Sequence, residues 1–213
     1  MKILIVTAVE AEAKAIPASK NTMVLAGGVG RTNSAAATTA AILEHGPFDA
    51  VINAGIAGIL PDSDLEIGDI LVADACHYME EGIETPTGFR DLDDMGFPLG
   101  DFKGNHVPVD PALLRCCGQG FRTGPIATVA TCAGTDSRAH EVVSRTGALA
   151  EAMEGASVVH AARLQGIPAI EVRSMSNTTG DQDQQIWDIQ AALAAITDPL
   201  REMVDRLISS GLS

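Results

Sequence analysis

Hydrophobic positions fall along this chain in two alternating patterns. Short apolar runs, "KILIVTA" (2–8), "TMVLAGG" (22–28), "DAVINAGIAGI" (49–59), "DILVADACHYM" (69–79), "PIATVAT" (125–131) and "PAIEVRSMS" (168–176), predict strands. Amphipathic stretches separate several of them. Residues 33–45 predict an Ala-rich helix ended by Gly46-Pro47, residues 153–165 one ended by Gly166, and residues 184–209 a long terminal helix that Pro199 is expected to break or kink. Strands alternating with helices predict an α/β fold, a three-layer sandwich with a central mixed twisted sheet. In such folds ligands bind beyond the carboxyl ends of strands, so the residues after each run are where chemistry is sought. Residues 80–110, rich in Gly, Pro and Asp without a clear period, predict a long excursion suited to a lid or a subunit contact.

With 213 residues, 46% of them apolar, the chain suffices for one core and is expected to form one domain over residues 1–213. Only 3% are aromatic, which predicts a core of small aliphatic side chains between covered sheet faces. Acidic residues outnumber basic ones 28 to 14, and the Lys and Arg form no stripe, so nucleic acid is excluded as a partner. The apolar N-terminal run soon meets Glu10, Glu12 and Lys14, unlike a secretory signal, and no run reaches membrane-spanning length. A cytoplasmic protein without a membrane partner is expected. Cys76, Cys116, Cys117 and Cys132 form no C-x-x-C pair, and the histidines are dispersed, so neither a disulfide framework nor a metal site is predicted.

Several polar residues interrupt the pattern where a ligand could sit. "AGGVGR" (26–31) follows a strand and opens a helix, as phosphate loops do, but position 33 is Asn, so the full G-x-G-x-x-G is absent. "NAGIAG" (53–58) either lets backbone approach a ligand or makes a tight turn. Glu10 and Glu12 follow the first strand. On a helix they point about 200° apart, so one can face the ligand edge, or both simply decorate a first helical turn. Glu154 stands beside Met153 at a helix start and leads into the strand carrying Arg173, Met175 and Asn177 on one face and Ser174 and Ser176 on the other. Arg173 could hold a carboxylate or a water near Asn177, or pair with Glu171 along its own strand.

Taken in order, these segments resemble the purine nucleoside phosphorylase and nucleosidase superfamily. "TAVEAEA" resembles its strand followed by A-M-E-x-E, "NAGIAGILPDSDLEIGDILVAD" its glycine cluster and G-D-(I/V)-V, "EAMEGASVVHAA" its E-M-E-(G/A), and "VRSMSN" its V-R-x-(I/V)-S-(D/N). The resemblance runs from the first strand to the last helix and implies a nucleoside phosphorylase-like fold. Arg173, Ser176, Asn177, Gly180, Asp183 and Trp187 further resemble the futalosine hydrolase branch, R-x-(I/M)-S-N-x-x-G followed by an acidic residue and "WDI".

Cleaving an N-glycosidic bond passes through a ribose cation, so positive charge must be stabilised, base departure aided and a nucleophile supplied. The resemblance implies that Glu12 polarises the attacking water, Glu154 grips the ribose hydroxyls, Met153 packs on the sugar and Arg173 helps fix the water. It implies a substrate-binding role for Ser176, Gly55, Ile56 and Phe97, a small-molecule nucleoside as partner, no cofactor or metal, and a homodimer or larger homo-oligomer in which Phe97 closes a neighbour's pocket. At Asn177, 6-amino nucleosidases resemble one another in using Asp. A 6-oxo purine presents acceptors at N7 and O6, which an amide can donate to and a carboxylate cannot, a difference of about 1–3 kcal/mol. The chain departs from the family in having Ile56 where 6-amino nucleosidases carry Ser, no aromatic in "TVATCAGTDS" to stack on the base, and no G-D-P-x-R phosphate loop. Phe97 or Trp187 could stack instead. Arg90, Lys103 or His106 could meet the benzoate of futalosine. Hydrolysis of futalosine to hypoxanthine is thus expected. The rivals are a methylthioadenosine/S-adenosylhomocysteine nucleosidase, an inosine phosphorylase, and a nucleoside-binding protein without turnover.

Overall fold

A computed structural model describes residues 1–17 and 19–211. Its elements in chain order are β1 (Ile3–Thr7), α1 (Glu10–Ala15), β2 (Thr22–Ala26), α2 (Arg31–His45), β3 (Ala50–Ile59), β4 (Ile70–Tyr78), β5 (Gly82–Thr85), β6 (Gly88–Asp91), β7 (His106–Pro108), α3 (Pro111–Cys117), β8 (Arg122–Thr128), α4 (Asp136–Thr146), β9 (Ala150–Ala152), α5 (Gly155–Leu164), β10 (Ala169–Thr178) and α6 (Ile189–Ser210). Each predicted strand and helix is present. The continuous apolar runs have the reason expected of them: β1 is buried along its whole length, covered on both faces.

The main sheet is mixed, in the order β10-β4-β8-β9-β3-β1-β2, with β7 beside β4. A further ladder joins β10 to β3, so β3, β10, β4, β8 and β9 close into a ring. Helices α1 and α3 each pack on α6, α2 packs on α5, and both α5 and α6 lie on β3, β4 and β10, giving helical layers around the sheet. The core is aliphatic, from Ile3, Leu4 and Ile5 to Val158, Ile170 and Leu207.

Pro199 does not break the last helix, the first of the two effects expected of it. Helix α6 runs through it, burying Ala192, Ile196, Leu200, Met203, Val204 and Leu207. Burying such side chains is worth about 1.5–3 kcal/mol each, which outweighs the roughly 3 kcal/mol cost of an interior proline. The helix starts at Ile189 and not at 184, because Gln182–Gln184 form a 3-10 turn and Asp188 accepts from Ala191 N–H at 2.8 Å as the cap.

Unpredicted elements are short or polar. Strand β9 has three residues, and α4 buries only Ala139 and Val142. Helix α4 is set by its ends: Thr135 accepts from Arg138 N–H at 3.2 Å, and Gly147 closes it at φ 64. Within the 80–110 excursion, β5 and β6 form a separate hairpin sheet.

Candidate active site

Glu12 occupies the third position of α1, where a side chain can turn back over the helix start. Its Oε2 accepts from Ala8 N–H at 2.8 Å and Val9 N–H at 3.1 Å, and its Oε1 accepts from Ile56 N–H at 2.9 Å across on β3. Glu12 is therefore buried while Glu10, on the opposite side of the same turn, is exposed. A carboxylate has about four lone-pair sites. Three are filled here, and the one left belongs to Oε1.

Glu154 caps α5 from outside the helix and reaches across to the first glycine cluster. Its Oε1 accepts from Gly30 N–H at 3.0 Å, and its Oε2 accepts from Met153 N–H and Arg173 Nη2, each at 3.3 Å. The N-terminus of α2 at Gly30, the place a phosphate would take in a phosphate loop, is thereby engaged by the protein's own carboxylate.

Arg173 ties these groups together from beneath. Its Nε donates to Glu171 Oε1 at 2.8 Å, its Nη2 to Asn53 Oδ1 at 2.5 Å, and its Nη1 to Ile56 O at 3.3 Å. Both anticipated partners are thus real, Glu171 on its own strand and Glu154 at the cavity. Burial alone would lower the basicity of Arg173, but Glu171, Glu154 and Glu12 outweigh it and hold the guanidinium above its ordinary pKa. Glu171 Oε2 also accepts from Cys76 Sγ at 3.1 Å, and burial, followed by this carboxylate, pushes that thiol well up. Two glycines make room. A Cβ on Gly55 would lie 2.4 Å from Glu12 Oε1 and 2.6 Å from Arg173 Nη1, and one on Gly155 only 1.8 Å from Glu171 Oε2.

Further along β3 the sheet changes character. The β10 ladder pairs Met175 with Ala57 and Asn177 with Gly58, leaving Ser176 as an extra residue, a bulge. Strict alternation therefore fails. Met175 packs in the core while Ser176 and Asn177 both line the cavity. Ser176 Oγ bonds Ala57 O at 3.1 Å and Asn177 Oδ1 at 2.8 Å. Asn177 Nδ2 donates to Thr178 O at 3.0 Å, leaving one of its two N–H bonds unused. On the other side of Gly58, β9 places Glu151 in register with it. Glu151 Oε1 accepts from Ala133 N–H at 2.8 Å, whereas its buried Oε2 has no hydrogen-bond partner among the described residues. Burial raises the Glu151 carboxyl to about 7, against the lowering effects of the Ala133 N–H and Arg138 and with a further rise from Glu80.

A cavity of about 480 Å³ opens between these groups, walled by Glu12, Glu154, Glu151, Met153, Ile56 and Asn177 and floored by Gly58. Its size suits a small nucleoside. A family model described as the phosphorylase superfamily matches residues 2–209. The chain belongs to the phosphorylase superfamily. It is 39% identical over 193 residues to futalosine hydrolase from Streptomyces coelicolor, covering 87% of this chain and 79% of that protein. To a 5'-methylthioadenosine/S-adenosylhomocysteine nucleosidase from Shewanella baltica it is 26% identical over 208 residues, 88% of this chain and 79% of the other. Among solved structures, a futalosine hydrolase mutant from Helicobacter pylori superposes with a TM-score of 0.79 at 25% identity, covering 97% of this chain and 99% of that one. An S-adenosylhomocysteine nucleosidase from Streptococcus pyogenes bound to 5-methylthiotubericidin gives 0.77 at 26% identity, covering 97% of each chain.

Of the site residues expected for this phosphorylase superfamily chain, Glu12, Glu154, Met153, Ile56, Ser176 and Asn177 line the one cavity, with Trp187 at its edge. Gly55 and Arg173 lie behind the wall, so Arg173 acts on the carboxylates and does not front the cavity. Phe97 is the exception. It is 67% exposed in the excursion and does not line this cavity. Arg90 donates to Asp94 O at 2.7 Å, and Lys103 and His106 line a different cavity with His77 and Arg145, so the expected benzoate contacts are not at this site. Gly155 and Glu151 carried no expected role, and Asn53 and Gly58 only that of the whole glycine cluster, backbone approach or a tight turn. Asn53 and Gly58 bound the glycine cluster and Gly155 follows Glu154, so each had a visible motif. Glu151 had none, because its placement comes from a three-residue strand.

Among the described residues no group of His, Cys, Asp and Glu could hold a metal ion, and no helix is long and apolar enough to cross a membrane.

Proposed function

We propose that this protein hydrolyses the N-glycosidic bond of futalosine, releasing hypoxanthine and dehypoxanthine futalosine, in menaquinone biosynthesis. The observation that carries it is the meeting in one cavity of Glu12, Glu154 and Asn177, with Arg173 behind them donating to Glu154 and to the carbonyl of Ile56, whose N–H holds Glu12. Glu12 keeps one lone-pair site on Oε1 for a water and polarises it toward C1′. Glu154 keeps one on Oε1 for a ribose hydroxyl, and its charge stabilises the cation that forms as the bond breaks. Met153 packs on the sugar. The free N–H of Asn177 donates to the N7 and O6 edge of a 6-oxo purine, and Ser176 holds the amide oxygen so that the N–H faces that edge. Ile56 keeps the neighbouring wall apolar.

Water, not phosphate, is the nucleophile. The Gly30 N–H is engaged by Glu154, and Arg31 faces Glu81 at 2.8 Å and Glu80 at 3.6 Å, so neither offers an anion site. The chain works as one domain, in the cytoplasm, as a homodimer or larger homo-oligomer in which Phe97 from a neighbour covers the cavity, and without cofactor. The test is incubation with futalosine, inosine and methylthioadenosine, each with and without phosphate. Hypoxanthine release from futalosine at a rate indifferent to phosphate is expected. Adenine release from methylthioadenosine as the main reaction would move the protein to the rival nucleosidase, and binding without release would make it a nucleoside-binding protein.

A further inference from the structure

A departing purine takes both electrons of the C1′–N bond and must be protonated. The amide of Asn177 can donate a hydrogen bond but has no proton to give at any ordinary pH. A separate acid facing the base makes the purine a better leaving group than its anion would be.

Among the ionisable groups on the cavity wall, Glu12 and Glu154 are poor candidates, because each accepts N–H donors on both oxygens and would forfeit a bond to carry a proton. The Cys132 thiol, pushed up to about 11 by burial and then by Glu151 and Glu154, is too weak an acid. Glu151 differs. Ala133 N–H holds its Oε1, so a proton belongs on Oε2, which is buried and has no hydrogen-bond partner among the described residues, on a residue that lines the cavity. Register supplies the placement: Gly58 of β3 pairs with Glu151 of β9 on one side and Asn177 of β10 on the other. Adjacent strands are about 4.8 Å apart, so Glu151 and Asn177 flank Gly58 on either side, and both line the cavity. A Cβ on Gly58 would lie 2.8 Å from Thr179 Cγ2 and 3.0 Å from Asn177 Nδ2, so close packing between the strands requires glycine here.

We propose that Glu151 is the general acid of this reaction, giving the proton on Oε2 to a ring nitrogen of the purine as the base leaves. This rests on the nucleosidase function proposed above. The C1′–N bond breaks with its electron pair going to the base. The Oε2–H bond breaks and an N–H bond forms on the base. The oxygen of a water bonds to C1′, and its proton passes to Glu12 and through solvent back to the Glu151 carboxylate, so that one water is added overall. Burial keeps the proton on the acid in the resting site, with the carboxyl at about 7. Of the charged groups around it, Arg138 of α4 favours ionisation and Glu80 opposes it, while Glu154 and Glu12 share the cavity wall; Arg138 is itself paired with Glu80 at 2.5 Å.

The experiment compares wild type, Glu151→Gln and Glu151→Asp. Glu151→Gln is expected to lower kcat by about 100-fold or more with KM within about threefold, and to abolish the fall of kcat/KM that wild type shows as pH rises through about 7. Glu151→Asp restores part of kcat and the alkaline limb. The wild type minus Glu151→Gln infrared difference spectrum shows a protonated carboxyl band at about pH 6 that disappears at alkaline pH. An unchanged kcat in a folded Glu151→Gln, an alkaline limb that survives in it, or no such band would each overturn the assignment. Wild-type base release decides the substrate separately. If methylthioadenosine is the nucleoside cleaved, the futalosine reading fails and the same variants judge Glu151 on that nucleoside; if neither nucleoside is cleaved, both proposals fall.

Discussion

Glu12 and Glu154 each accept three N–H donors, one of Glu154's from Arg173, whereas Glu151, a few residues along the same sheet, has one donor and a buried oxygen with no partner among the described residues. Asn177 shares that openness, with one amide N–H unused. The region around Gly55 is thus built to hold fixed charge, while the region around Gly58 keeps unspent hydrogen-bonding capacity. Buried polar groups are normally matched, so an unmatched pair on one cavity wall marks where the ligand supplies the missing partner.

Breaking the braced side has the largest consequence. Arg173→Met leaves Glu171 and Glu154 buried without their cation, and stability falls by roughly 3–5 kcal/mol, as measured by denaturant unfolding, with loss of turnover. A variant as stable as wild type would show that the guanidinium is not the brace. Next comes Glu12→Gln, which keeps the shape and removes the charge. Turnover drops by about 10²–10⁴-fold while hypoxanthine or substrate binding, followed by calorimetry, is nearly unchanged. Equal loss of binding would assign Glu12 to affinity instead.

The open side predicts a smaller, pH-dependent effect. The folded-state pKa of Glu151 is raised by burial to about 7, so between its unfolded value and about 7 the folded state binds more protons. Stability contributed by this group is present below the unfolded carboxylate range and is lost as pH rises through about 7, by roughly 3 kcal/mol in total. Denaturation of wild type and Glu151→Gln across this range checks it: wild type loses stability as pH rises and the variant does not, whereas equal slopes would assign the loss to another group. The smallest change expected is Trp187→Ala. This indole is 56% exposed and held by Gln185 Oε1 at 3.0 Å, so stability shifts by no more than about 0.5 kcal/mol, while loss of stacking raises KM a few-fold. An unchanged KM would exclude Trp187 from the base site.

The two sides also differ in how far they could be read from sequence. Glu12, Glu154 and Arg173 sit in motifs whose spacing reflects local geometry: a side chain turning back over a helix start, a cap before a helix, a residue within a strand. The strands and main helices were legible for the same reason, since periodicity records which face is buried. The open side depends on relations between distant segments. The bulge at Ser176, which puts Ser176 and Asn177 on one wall and Met175 in the core, follows from pairing with β3 and breaks the alternation that a single strand suggests. Glu151 owes its position to a three-residue strand with two partners, which no periodicity announces. Phe97 was chosen for its chemistry, and the hairpin excursion carries it away from the cavity of its own chain.

The choice of substrate comes down to one atom, the nitrogen of Asn177, and to whether its free N–H meets an acceptor on the base. Measuring kcat/KM for futalosine and for methylthioadenosine in wild type and in Asn177→Asp tests this most directly. The ratio should favour futalosine in wild type and fall by about 10-fold or more in the variant, in line with about 1–3 kcal/mol for an acceptor forced against an acceptor. A ratio that stays the same when the amide becomes a carboxylate would contradict the account.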